Sequence, residues 1–274
     1  TKMKDMRGGL KPLIRDPNIF QTGAIFKLPK LEELPEEFSF DVPFPVKNQG
    51  STDFCSAYST CGASELQENV ELSPEWSFAA SKKLTGDPEN WGQTLRDACR
   101  VLTKWGSVPK SRVNVPPNAR LIEGYNTDLF DEAQKHRKQS YFAVTGPYTP
   151  FDNIRANLWH FRAEKRGIII GLVFGWGLEE KILSGIKEGF GHAMYISGWT
   201  PQGLKVVNSY GPEAGENGVH IVTPDVINHF IPKFGAMMFL DEEPEKVKPK
   251  MDEWRWGRAS AWGKFVLLLR RLFA

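Results

Sequence analysis

The sequence predicts an α+β protein with a helical first half and a second half built as an antiparallel sheet or barrel. Two patterns carry this. Three segments before residue 107 begin after polar turns or capping residues and run at helical spacing. After residue 166, short β-branched runs alternate with turns of Gly, Pro and Asn. The 274 residues make one large domain or two small ones, and a hydrophobic fraction of 41% supports an ordinary core.

In chain order, residues 1–33 are basic, then mixed. Gly8, Gly9, Pro12, Pro17 and Pro29 interrupt any long helix, so this stretch reads as an extension lying on something else. Phe38 to Val42 is β-like, and Asn48-Gln49-Gly50-Ser51 is turn chemistry. Cys55 to Leu66 is rich in small residues and predicts a buried, closely packed helix. Ser73 caps a second helix, with Pro74 in its first turn. Thr94 to Leu102 is a third, ending near Gly106, and Ile154 to Ala163 a fourth. Strands are expected at 167–173, 193–196, 205–208 and 219–222. Pro244 to Lys250 is a charged linker before a tail from Trp254 to Ala274. There is no internal repeat.

A net charge of +2 does not argue for nucleic acid as a partner. No stretch approaches the roughly 20 apolar residues that span a bilayer. The chain opens on Thr1 rather than Met, so it is expected to be processed or trimmed, and its first residues lack a signal-peptide core. Three cysteines, Cys55, Cys61 and Cys99, are too few for a disulfide scaffold. Two of them could pair, but nothing requires it, and a reducing compartment is favoured.

Cys61 and Cys99 sit inside helical patterns, as small buried hydrophobes do. Cys55 starts a helix after a polar turn, where the partial positive charge of a helix N-terminus favours a thiolate. Among the five histidines, His192 stands where Gly191 gives way to an apolar strand. Asn208 ends a strand, and Gln49 sits in a turn; taken singly, each has an ordinary structural reading.

Together they resemble the papain family of cysteine peptidases, from about Leu34 to Leu240. Gln49 precedes Cys55 by six residues, as in the family's oxyanion glutamine and nucleophile. Gly191-His192-Ala193 resembles its histidine strand. Asn208-Ser209-Tyr210-Gly211 with Gly215-Glu216-Asn217-Gly218 is similar to its asparagine motif. His192 and Asn208 follow Cys55 by 137 and 153 residues, against roughly 130–150 in papain-like enzymes.

The resemblance implies a two-lobe fold: a helical N-terminal lobe, a β-barrel-like C-terminal lobe, and an active-site cleft between them. It implies Cys55 as nucleophile, His192 as acid–base partner, Asn208 orienting the imidazole, and Gln49 with the Cys55 N–H holding the oxyanion. Gly92 would pair with substrate backbone, and Phe190 and Ala193 would border the pocket for the second residue before the cut. No metal or cofactor is called for. The chain departs from the family at Thr52, where a disulfide cysteine is usual, and at Ser56, where an aromatic is. Phe54 replaces a small residue and is expected to narrow the cleft, and Tyr210 replaces a tryptophan. Of the family's long pro-segment, only the short stretch before Leu34 is expected to be able to do the job here.

The division expected is thus 1–33, a short pro-segment or docking arm; 34–243, the peptidase domain; and 244–274, linker and tail. In the tail, Trp262, Phe265, Val266, Leu269, Leu272 and Phe273 share one helical face, Lys264 and Arg271 fall opposite, and Arg255, Arg258 and Arg270 add charge. Residues 254–274 are therefore expected to pack on the domain or to bind a partner protein, an oligomer or an anionic membrane. The leading function is a cysteine endopeptidase acting on protein or peptide, in a cytoplasmic or particle-associated setting. The alternatives are a papain-fold structural or docking component of an assembly, and a thiol acyl transferase or amidase.

Overall fold

The computed structural model describes residues 8–13, 19–86, 91–113 and 127–241; the linker and tail expected after residue 243 lie outside them. Among the described residues no helix is long and apolar enough to cross a membrane.

The first lobe is built on helix α2 (Cys55–Glu68), preceded by the short helix α1 (Thr22–Ile25) and strand β1 (Phe38–Ser39). Every residue of α2 from Cys55 to Leu66 is buried, which its small side chains allow. A Cβ at Gly62 would come within 2.3 Å of the Tyr195 ring, so glycine lets the helix approach the sheet closely. Helix α3 (Pro74–Thr85) begins as the sequence predicts: the Ser73 side chain accepts from the Trp76 N–H, and Pro74 occupies the first turn. Helix α4 (Leu95–Lys104) is capped by Thr94, which accepts from the Asp97 N–H. Helix α5 (Thr127–Gln134) completes this side of the chain.

The second lobe holds an eight-stranded sheet. Its strands are β2 (Ser140–Ala143), β3 (Ile168–Phe174), β4 (Ile182–Leu183), β5 (Phe190–Thr200), β6 (Gly203–Val207), β7 (Val219–Val222) and β8 (Ala236–Leu240). They pair in the order β2-β8-β3-β5-β6-β7-β4, with β1 added on β5, so the barrel-like sheet remains open. All pairs are antiparallel except β4 with β7. Helix α6 (Pro150–His160) starts four residues before the expected Ile154, because Thr149 caps it and Pro150 fits its first turn. Helix α7 (Pro224–Phe234) and strands β2 and β8 were not legible in the sequence.

Residues 19–33 do not behave as a loose extension. Ile19, Ile25 and Phe26 are buried in the main core. The Phe26 ring lies 5.1 Å from Phe161 and 5.9 Å from Phe142, and Ala143 N–H donates to the Phe20 carbonyl. Leu10, in the described stretch before them, belongs to the same core. Phe26→Ala is therefore expected to destabilise the protein by about 3 kcal/mol, the usual cost of emptying an aromatic core site. A urea melt that left the midpoint unchanged would refute that role.

Candidate active site

Cys55 occupies the first position of α2 and is fully buried. β5 passes this helix end and carries His192, paired opposite Leu172 of β3. β6 pairs with β5 through Tyr195 and Val207, so the next residue after Val207, Asn208, arrives beside the same ring. His192 Nε2 and Asn208 Oδ1 are 2.9 Å apart. Tyr210 stacks on the imidazole with centroids 5.0 Å apart and planes 15° apart. Phe174 meets the ring edge-on at 5.6 Å. These aromatic faces shield the His192–Asn208 contact from water.

Gln49 is fully buried. Its Oε1 accepts from the Ser209 hydroxyl at 2.5 Å, and its Nε2 donates to the Thr52 carbonyl at 2.8 Å. Its backbone N–H donates to the Ser209 carbonyl, tying the turn before the nucleophile to the asparagine motif. The neighbouring Lys47 forms a buried ion pair with Glu65 of α2, which anchors the same turn to the helix.

The cleft is not empty. Residues 8–13 run through it as an added strand held by both lobes. Gly9 N–H points at Cys55 Sγ, 3.3 Å away. The Gly9 carbonyl accepts from Gln93 N–H at 2.8 Å, and Lys11 N–H donates to the Gln93 carbonyl at 3.0 Å. On the other side, Leu10 N–H donates to the Gly191 carbonyl at 3.2 Å and Leu13 N–H to the Lys233 carbonyl at 3.1 Å. Leu10 is buried, and its Cδ2 would lie 2.4 Å from a Cβ placed on Gly171. The passage is so narrow that a Cβ on Gly9 would fall 1.7 Å from the Asp53 carbonyl oxygen, and one on Gly8 2.1 Å from that of Gly191. The glycine pair that made this segment look structureless is what lets it fit.

The backbone that pairs with this strand belongs to Gln93, next to Gly92. Both polar backbone groups of Gly92 are engaged: its N–H donates to the Asp53 carboxylate at 2.6 Å, and its carbonyl accepts from the Lys82 ammonium. Phe190 does border the strand, since a Cβ on Gly8 would sit 2.2 Å from its ring. Ala193 is fully buried beside Cys55, and its backbone N–H points at the sulfur. Phe54 does not narrow the cleft. It turns into the helical lobe, fully buried, and stacks on Phe78 at 4.0 Å.

Burial is the largest influence on the titration of both Cys55 and His192. Loss of water pushes the Cys55 thiol up to about 11, although the N–H groups of Gly9, Ala193 and Ser56 oppose this. Burial lowers His192 to about 4, against the favourable hydrogen bond that its ring donates to Asn208 Oδ1. In both side chains burial favours the neutral form, and at Cys55 it opposes the thiolate that the helix N-terminus favours. His192 Nδ1 is buried without a hydrogen-bond partner. Burial raises Cys61 to about 12 and Cys99 well above the usual thiol range, which fits the core role expected of both. All three thiols are free.

One histidine at this site escaped the sequence reading. His220 lies on β7, fully buried, with its Nε2 2.9 Å from Asn208 Nδ2. Its signal was the alternation of Val219-His220-Ile221-Val222, which puts His220 on the same inward face as Val222. Among the described residues, no group of three or more His, Cys, Asp or Glu side chains is placed to hold a metal ion.

No family model matches the chain, and no curated protein matches its sequence. Solved structures do match its fold. Xylellain, a cysteine protease from Xylella fastidiosa, aligns with a TM-score of 0.72 over 89% of this chain and 99% of its own, at 18% identity. Digestive procathepsin L2 proteinase from the larval midgut of Tenebrio molitor aligns at 0.61 over 87% and 79%, with 19% identity. The Carica candamarcensis cysteine protease CMS1MS2, in complex with E-64, aligns at 0.59 over 77% and 100%, with 14% identity. At these identities the likeness establishes architecture: the chain has the two-lobe fold of the papain-like cysteine proteases.

Proposed function

We propose that this chain is a cysteine endopeptidase working through Cys55, His192 and Asn208, and that residues 8–13 hold it latent. One observation carries the reading: an extended stretch of polypeptide threads the cleft, hydrogen-bonded by backbone from both lobes, with an amide of that stretch on the Cys55 sulfur. A groove that adds a peptide as a strand is a peptide site. What meets the sulfur is the Gly9 N–H, so while the segment stays in place it fills the groove where a substrate would lie.

Once the segment leaves, water returns and the pair can ionise. His192 Nδ1 takes the thiol proton, and Sγ bonds to the carbonyl carbon of the substrate. The oxygen becomes an oxyanion, held by the Cys55 N–H and the Gln49 amide. The C–N bond breaks as His192 returns the proton to the leaving amine, giving a thioester. Water deprotonated by His192 then attacks the thioester, and the thiol is released.

The test is mass spectrometry after a thiol-directed epoxide, followed by a peptide-library screen, both on a chain whose segment has been displaced. A single adduct on Cys55 and new peptide termini produced by hydrolysis are expected. Labelling shared equally among Cys55, Cys61 and Cys99 would reject the nucleophile. Products that carry only transferred amines would replace hydrolysis with acyl transfer.

A further inference from the structure

His220 belongs to no motif used above, yet it closes a chain of directional hydrogen bonds that ends on the candidate base. The Glu180 carbonyl oxygen can only accept, and it lies 2.7 Å from His220 Nδ1, so that nitrogen carries the proton. His220 Nε2 is then a bare acceptor, 2.9 Å from Asn208 Nδ2. The Asn208 amide must therefore turn its nitrogen toward His220 and its oxygen toward His192. The Ser209 N–H, 2.7 Å from the same oxygen, demands the same orientation. Asn208 Oδ1 in turn requires a proton on His192 Nε2, 2.9 Å away, which leaves a lone pair on Nδ1.

Rotating the amide by half a turn would set N–H against N–H at both His192 and Ser209. It would also force His220 to protonate Nε2 and to face the Glu180 oxygen with a second lone pair. We infer that His220 is a positioning residue, whose Nε2 locks the Asn208 amide and thereby selects the His192 tautomer that can accept the thiol proton. Burial lowers the pKa of His220, which keeps it in the neutral form this role needs. Phe174, edge-on to His220 with centroids 5.8 Å apart, holds the ring in place.

The inference rests on the peptidase reading for its catalytic meaning, but its structural core can be measured without turnover. The experiment is nitrogen-15 NMR of the histidine rings in the full-length chain, for wild type, His220→Leu and His220→Gln. Wild type is expected to show His220 protonated at Nδ1 and His192 at Nε2. His220→Leu is expected to give mixed His192 tautomers, whereas His220→Gln, which keeps an acceptor, retains one.

The kinetic arm uses a chain whose segment is displaced by Gly9→Ala. There His220→Leu is expected to lower kcat between about 10- and 100-fold, as a misplaced catalytic group does, with little change in KM. In an Asn208→Ala background the same substitution is expected to cost no more than about twofold, because its only route to His192 is gone. Wild-type His220 protonated at Nε2, or a single unchanged His192 tautomer in His220→Leu, would overturn the proposal even if the leucine variant proved unstable. Correct tautomers with no peptide cleavage by any form would leave the positioning role standing and reject the peptidase reading instead.

Discussion

Replacing Gly9 by alanine is expected to switch the protein on. The added methyl group would lie 1.7 Å from the Asp53 carbonyl oxygen, and that obstacle is backbone beside the nucleophile rather than a side chain that can swing away. The segment can escape the clash only by leaving, which breaks its bonds to Gln93 and Gly191 and rehydrates Cys55. Alkylation follows the thiolate, not the thiol. If rehydration returns the thiol from about 11 to its ordinary value near 9, the thiolate population at pH 7 rises about 100-fold. A recovered ion pair with His192 would raise it further.

The sign with pH follows. In the wild-type chain, Cys55 labelling climbs steadily as pH approaches about 11. In Gly9→Ala it levels off at a lower pH. Iodoacetamide rates across pH, read by mass spectrometry, measure both. Truncation through residue 13 is expected to act the same way, while cutting to residue 33 would also remove Phe26 and Ile25 from the core. A Gly9→Ala protein that labels no faster than wild type would end the latency proposal.

The second large effect is a ranking of losses in the Gly9→Ala background. Cys55→Ala removes the nucleophile and His192→Ala the proton carrier, so each is expected to cut kcat by about 10⁴-fold or more. Gln49→Ala is expected to cost about 10²–10³ in kcat with a smaller effect on KM, because the charge its amide stabilises exists only near the transition state. Asn208→Ala should leave more activity than His192→Ala, since Tyr210 and Phe174 still pack on the imidazole. Steady-state kinetics on a small peptide would check the order. If Gln49→Ala changed only KM, its oxyanion role would be wrong.

The sequence by itself determined the local elements whose causes lie within a few residues. Ser73 and Thr94 cap their helices because a hydroxyl reaches an N–H two or three positions ahead, and Val219 to Val222 is a strand because alternation is a property of neighbours. The order of Gln49, Cys55, His192 and Asn208 was also legible, although only β5 and β6 lying side by side bring His192 within 2.9 Å of Asn208.

The tertiary structure decided what depends on partners distant in sequence or on the exclusion of water. Gly8 and Gly9 carry no local pattern; Gln93, Asp53 and Gly191 supply their path. Phe54 looked like a cleft residue until Phe78 gave its ring a place to stack. The role of His220 appears only when β7 brings it to Asn208. Burial raises Cys55 and lowers His192, against the partial charge at the helix end that is visible in sequence, because two lobes and a strand close over the same sulfur and exclude water.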